Sequence, residues 1–227
     1  DRIPSKQDIK NAIADILRAN GMRDSTHIRL TLTRGEKITS GMDPRLNTKG
    51  PCLIVLAEWK PLVYDNDKGI RVITSSQRRN TPPYLDSKIH HNNLLNNILA
   101  KIQANIAGVD AAIMLDDRGF VAELNDTNLF LIKAGAVYTP LANACLPGIT
   151  RGITLECCQQ LGIQAHEKDL SLSEFYNADE VFATGTMGEL TPVVEIDGRA
   201  ITRPSNAEIR KKINEHFQTL IPLYSEQ

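Results

Sequence analysis

Apolar residues recur at helical spacing through Ile9, Ala12, Ile13, Ile16 and Leu17. Ser5 stands ahead of them as a cap and Asp8 falls near the first turn, so the pattern predicts a helix to about Asn20, ended by Gly21. His27–Arg34 alternates with period two, Leu53–Trp59 is apolar enough for a buried strand, and Ile70–Ser76 reads as a strand after the turn at Asp65–Gly69. Arg34 to Pro51 is polar, with glycines and a proline, and reads as a long loop. Further on, Leu94, Leu95, Ile98, Leu99, Ile102 and Ile106 mark a helix from Asn93 to about Ala107, stopped by Gly108. Strands are predicted over 111–115 and 120–124 about an Asp-Asp-Arg-Gly turn, and over 129–133 and 137–139 about Ala-Gly. A helix over 150–161, a strand over 163–166, a short helix over 172–176, strands over 181–184, 190–196 and 199–201, and a helix over 206–220 complete the pattern. Hairpin strands mixed with a few helices, without strict strand–helix alternation, predict an α+β fold.

The composition turns polar, basic and proline-containing from Ser75 to Pro83, which predicts a boundary between a partial small α/β domain over 1–80 and a main domain over 81–227. No apolar run is long enough for a membrane helix, and 26 Lys+Arg against 27 Asp+Glu leave a formal charge of -1, so neither a membrane span nor electrostatic capture of nucleic acid is expected. Cys52, Cys145, Cys157 and Cys158 form no Cys-x-x-Cys pair, which predicts reduced thiols, no metal site, and an intracellular protein, cytoplasmic or organellar. The chain opens on Asp1 without a signal-peptide pattern, as expected of a product cleaved upstream or of part of a longer chain.

Three segments point to chemistry. Leu146-Pro-Gly-Ile-Thr-Arg151 leads into a helix, where the amides of Ile149 and Thr150 would meet an anion such as a phosphate. Thr184-Gly-Thr-Met-Gly-Glu-Leu-Thr-Pro192 offers hydroxyls and close backbone approach between two strands. Glu123 ends an apolar strand, where a carboxylate needs a partner, and Asn125, Asp126 and Asn128 crowd the next turn. The plain alternatives are a helix start capped by Thr150, an ordinary strand-to-strand loop and a solvated strand end. Neither a G-x-G-x-x-G nor a P-loop motif occurs.

Together these segments resemble the fold-type IV pyridoxal-phosphate enzymes, which include branched-chain aminotransferases, D-amino-acid aminotransferases and aminodeoxychorismate lyases. The resemblance rests on Arg118-Gly-Phe-Val-Ala-Glu123 with Asn128-Leu-Phe, on Leu146–Arg151, and on Ala178-Asp-Glu-Val-Phe-Ala-Thr-Gly-Thr186 followed by Glu189-Leu-Thr-Pro-Val, and it covers roughly residues 25–202. It is closest to the branched-chain type. It implies a D-amino-acid aminotransferase-like fold, with a large cofactor domain of hairpin strands and helices beside the partial small domain. It implies pyridoxal 5′-phosphate with its pyridine nitrogen on Glu123, its phosphate on Ile149, Thr150 and Thr186, and Leu146 against the ring. Gly185 and Met187 would border the substrate carboxylate, and Arg45 would supply a substrate contact from an interdomain loop. An amino acid and a keto acid would be the substrates, and the protein would be a homodimer, with Trp59 and nearby apolar strands available for contact.

The resemblance departs from its pattern at the catalytic lysine. Family members place that lysine in a short strand, three or four residues ahead of an Asn. Here the stretch is Asp86-Ser-Lys-Ile-His-His-Asn-Asn93, the lysine slot falls on His90, and Lys88 stands two residues early on the same strand face. Two mechanisms stay open. Lys88 reaches the cofactor through a bulge or register shift, giving an aminotransferase. Otherwise His90 occupies the slot, the cofactor binds non-covalently, and the protein is a catalytically impaired relative that keeps the pocket. A lyase acting on aminated chorismate is a third option. The resemblance also implies an upstream stretch that supplies further small-domain strands and a phosphate-gripping arginine.

Overall fold

A computed structural model describes residues 3–201 and 208–225. The chain divides into two compact units, residues 1–62 and 63–227. In the first unit, α1 (Lys6–Ala19) opens on a capping box, with the Ser5 hydroxyl accepting from the Asp8 amide and the Asp8 carboxylate accepting from the Ser5 amide. Two antiparallel strands follow, β1 (Thr26–Thr33) and β2 (Cys52–Trp59), in register from Thr26 opposite Trp59 to Thr33 opposite Cys52.

The second unit is built on one sheet. Its strands are β3 (Ile70–Thr74), β4 (Ala111–Leu115), β5 (Val121–Leu124), β6 (Asn128–Lys133), β7 (Ala136–Pro140), β8 (Ala165–Lys168), β9 (Glu180–Gly185), β10 (Glu189–Ile196) and the short β11 (Arg199–Ala200). They lie in the order β5-β4-β3-β10-β9-β6-β7-β8, with β11 added to β10. The hairpins are antiparallel, whereas β3 runs parallel to both β4 and β10, and β7 runs parallel to β8. Among the described residues, four helices accompany the sheet: α2 (Leu95–Ile106), α3 (Ile149–Gln160), α4 (Leu172–Tyr176) and α5 (Ile209–Ser225). The helix expected from Asn206 begins, in part, outside the described residues.

Strand β6 explains the layering. Its apolar run has no polar alternation, so both faces are covered. Leu129 and Leu131 join one core cluster with Ile70, Ile113 and Val193. Phe130 and Ile132 join another with Cys157 and Cys158 of α3 and Ile213 and Phe217 of α5. Phe130 stacks on Phe182 of β9 at 5.0 Å between ring centroids. Asp197, in the turn after β10, accepts from the Thr74 amide and hydroxyl, each at 2.6 Å, and from the Tyr176 hydroxyl at 2.7 Å, tying β3 to β10 and α4.

Two expectations need correction. The boundary expected near residue 80 falls instead at Leu62–Val63, because β3 is hydrogen-bonded inside the large sheet between β4 and β10. Residues 86–90 form turns rather than a strand, closed by the Ile89 amide on the Asp86 carbonyl, so the same-face argument for Lys88 and His90 does not apply. No helix among the described residues is long and apolar enough to cross a membrane.

Candidate active site

Glu123 comes from β5, which pairs with β4 through Met114 opposite Glu123. Its side chain is almost fully buried, and two groups hold it. The Arg79 Nε donates to Oε1 at 2.6 Å, and the Asn128 Nδ2 donates to Oε2 at 3.2 Å. Arg79 is itself mostly buried, its side chain 10% exposed, and is fixed by its backbone amide on the Leu115 carbonyl and by its Nη1 on Asn96 Oδ1 of α2. Burial pushes the Glu123 carboxyl up to about 7, while the Arg79 guanidinium pulls the other way.

Asn128 links this carboxylate to the start of α3. Its Nδ2 also donates to the Leu146 carbonyl at 2.9 Å. Gly148 is the N-cap, in extended backbone and without a side-chain cap bond. A Cβ at Gly148 would stand 2.3 Å from Asn128 Oδ1, so only glycine lets the helix start lie against Asn128. The first amides of α3, at Ile149 and Thr150, have no preceding helical carbonyl to bond and carry the positive end of the helix dipole. The Ile149 side chain is exposed, whereas Thr150 is buried. Across from Asn128 in the β6–β9 register sits Thr184, whose hydroxyl is buried and has no hydrogen-bond partner among the described residues.

A cavity of about 200 Å³ opens on Glu123 and Leu146 and is lined also by Arg79, His90, His91, Leu94 and Asp126. Glu123 and Leu146 are thus brought together, with Ile149 and Thr150 on the same helix start. His90 faces this cavity. Lys88 does not line it, and its ammonium lies 3.3 Å from Asp86. Gly185 ends β9, and Thr186, Met187 and Gly188 form the β9–β10 turn. Gly185 packs on Thr127, which a Cβ there would approach at 2.6 Å, and the Met187 carbonyl accepts from the Val63 amide at 3.0 Å. Thr186 is exposed and is not a lining residue. Arg45 belongs to the first unit, where its guanidinium is exposed and paired with Asp43.

Arg79 and Asn97 were not singled out in the sequence. The need for a cation beside Glu123 was legible there, but its source 44 positions upstream was not. Asn97 of α2 donates to the Asn125 carbonyl at 2.7 Å and so fixes the turn after Glu123.

Residues 3–196 match the amino-transferase class IV family. The chain is 54% identical over 233 residues to branched-chain-amino-acid aminotransferase-like protein 2 of Arabidopsis thaliana, covering all of this chain and 42% of that relative's length. The Escherichia coli branched-chain amino acid aminotransferase superposes with a TM-score of 0.87 at 28% identity, over 97% of this chain and 73% of that one. The branched-chain aminotransferase of the thermophilic archaeon Thermoproteus uzoniensis, solved with norvaline, superposes with a TM-score of 0.87 at 30% identity, over 96% and 71%. A further branched-chain amino acid aminotransferase, from T.th. and carrying pyridoxamine 5′-phosphate, superposes with a TM-score of 0.84 at 34% identity, over 98% and 74%. The carboxylate at the end of β5, the glycine-started helix α3 and the β9–β10 turn therefore sit in a frame shared with these proteins, and the chain belongs to the class IV aminotransferase family.

Proposed function

We propose that this chain binds pyridoxal 5′-phosphate in the Glu123 cavity without a covalent lysine, and that its amino-group transfer is correspondingly weak. The observation that carries this reading is that His90 lines the cavity while Lys88 stands outside it. The donor set suits the cofactor. The uncapped amides of Ile149 and Thr150 suit a phosphate, with the unpartnered Thr184 hydroxyl as a further donor, and the Glu123 carboxylate suits a protonated pyridine nitrogen. Thr186 would add a hydroxyl to the phosphate, and Leu146 would cover the ring.

When bound, the cofactor supplies an electron sink for carbanion chemistry at an amino acid's α-carbon. Arg79 and Asn128 fix both oxygens of Glu123, so its charge is oriented before any ligand arrives. The amides of the Gly185–Met187 turn would border the substrate carboxylate. His90 lines the cavity, but its imidazole cannot replace a lysine amine as the covalent anchor.

The test is to load the chain with pyridoxal phosphate, treat it with borohydride and map modified residues by mass spectrometry. Cofactor that binds yet washes away on gel filtration, with no label on Lys88, is the expected result, and His90→Lys should then acquire label at position 90. A fixed phosphopyridoxyl group on Lys88 overturns the proposal.

That outcome would favour a second reading, a branched-chain aminotransferase anchored through Lys88. One observation supports it. The Lys88 ammonium is paired with the partly exposed Asp86, a pair worth about 0–1 kcal/mol, so releasing this side chain costs little. Under either reading we infer an amino acid and a keto acid as ligands, an intracellular setting and a homodimer. Helix α2 supports the dimer. It buries Ala100 and Ala104 against β4 and turns Leu95, Ile98 and Ile102 outward at 60%, 50% and 45% exposure, the reverse of an ordinary surface helix.

A further inference from the structure

The Glu123 cavity contains a charge that its own surroundings do not balance. Glu123 is matched by Arg79 at 2.6 Å. Asp126, three residues on and exposed at the edge of the same cavity, has no lysine or arginine within ion-pair distance among the described residues. Lys101 spends its ammonium on the Asp110 carbonyl. What Asp126 has are neutral donors, the Thr127 hydroxyl at 3.4 Å from Oδ1 and, closer, the Tyr64 hydroxyl at 3.1 Å from Oδ2.

That donor makes the carboxylate a fixed feature rather than a loose surface group. The Tyr64 ring packs against Gly188, where an added Cβ would stand 3.3 Å away, and its neighbour Val63 is bonded to the Met187 carbonyl. On the other side, Gly185 packs on Thr127, the residue after Asp126. Asp126 is therefore clamped between the cavity and the β9–β10 turn. On the reading above, this is the side where the substrate, not the cofactor ring, would lie.

We propose that Asp126 sets the substrate class: the pocket prefers an amino acid whose side chain ends in a cation, an ammonium or a guanidinium, over one that is branched and apolar or acidic. A cationic end forms a charge-assisted hydrogen bond with a carboxylate already held in place. A leucine side chain would strip water from that carboxylate and return nothing, and a glutamate side chain would be repelled. This inference rests on the cofactor reading, and it departs from the branched-chain names of the relatives.

The test uses the full chain and three reduced conjugates of pyridoxal phosphate, joined through the α-amino groups of lysine, leucine and glutamate, with free pyridoxal phosphate alongside. Binding is followed by fluorescence. The lysine conjugate should bind about tenfold more tightly than the leucine conjugate, with the glutamate conjugate weakest. Asp126→Asn should bring the lysine-to-leucine ratio close to one. Tyr64→Phe, which keeps the charge, should leave lysine preferred. Asp126→Ser is read in parallel, with circular dichroism reporting the fold of each variant. Equal or tighter binding of the leucine conjugate, or a ratio that survives loss of the carboxylate, overturns the inference. If neither free pyridoxal phosphate nor any conjugate binds, the cofactor reading has failed, and lysine amide alone then decides. Tighter binding to the unaltered chain than to Asp126→Asn upholds the role of Asp126, and equal or absent binding overturns it.

Discussion

Replacing Glu123 with glutamine isolates the most perturbed carboxyl of the site. Burial raises its folded-state value to about 7, against 4.5 when unburied. Between those values the folded chain keeps a proton that the unfolded chain has released. The stability contributed by this group is therefore complete below about 4.5 and is lost as pH rises through about 7. At about 1.4 kcal/mol per pH unit, the gap amounts to about 3 kcal/mol. Glutamine cannot titrate, and Arg79 stays charged throughout, so the unbalanced guanidinium in the variant adds a constant offset and no slope. Urea unfolding of both proteins in half-unit steps from about pH 4 to about pH 8.5 gives a difference curve in which titrating groups that do not interact with Glu123 cancel. Stability of the parent relative to Glu123→Gln should fall by about 3 kcal/mol across that window. A flat curve, or one that rises with pH below about 4.5, would mean that the Arg79 charge outweighs burial, and would refute the reasoning.

Three further outcomes are expected. Gly148→Ala forces a Cβ to within 2.3 Å of Asn128 Oδ1, so Asn128 must leave Glu123 and Leu146; a loss of about 1–3 kcal/mol by chemical denaturation is expected, and an unchanged midpoint would show that the helix start shifts freely. Thr184→Val removes a hydroxyl that has no partner, so the ligand-free chain should be as stable as the parent or up to about 1 kcal/mol more so; a loss above about 1 kcal/mol in a thermal melt would contradict its isolation. Ile98→Asp puts a carboxylate on the outward face of α2 and should weaken self-association about thirtyfold or more by sedimentation equilibrium, whereas an unaltered dimer would place the contact elsewhere.

The sequence was legible where local rules act. The Ser5 cap with Asp8, the hairpins about Asp116–Gly119 and Ala134–Gly135, and the short helix at Leu172–Tyr176 all rest on neighbours within a few residues, and the structure places them as expected. At the candidate site, Glu123 and the Pro147–Gly148 helix start were legible as positions that need a partner, because a carboxylate in an apolar strand and an uncapped helix N-terminus each call for one. What stayed hidden depends on distant pairing. Nothing near Ile70–Thr74 signals that both its neighbours are parallel strands, so the basic stretch after it passed for an interdomain linker. That stretch carries Arg79 into the core. Likewise, the apolar spacing of α2 is that of a surface helix, but period alone does not say which stripe faces inward. The alanines Ala100 and Ala104 take that place.

The position of β3 has a consequence for synthesis on the ribosome. Its two partners are β4, which emerges soon after it, and β10, whose paired residues begin at Val193. Until Val193 clears the exit tunnel, one side of β3 presents bare amides and carbonyls, and the Asp197 latch to Thr74 and Tyr176 does not yet exist. A nascent chain in that interval has an open strand edge next to apolar Val72 and Ile113, the condition under which chains pair with the wrong neighbour. Slow translation before Val193 should therefore lower soluble yield more than the same delay placed after it.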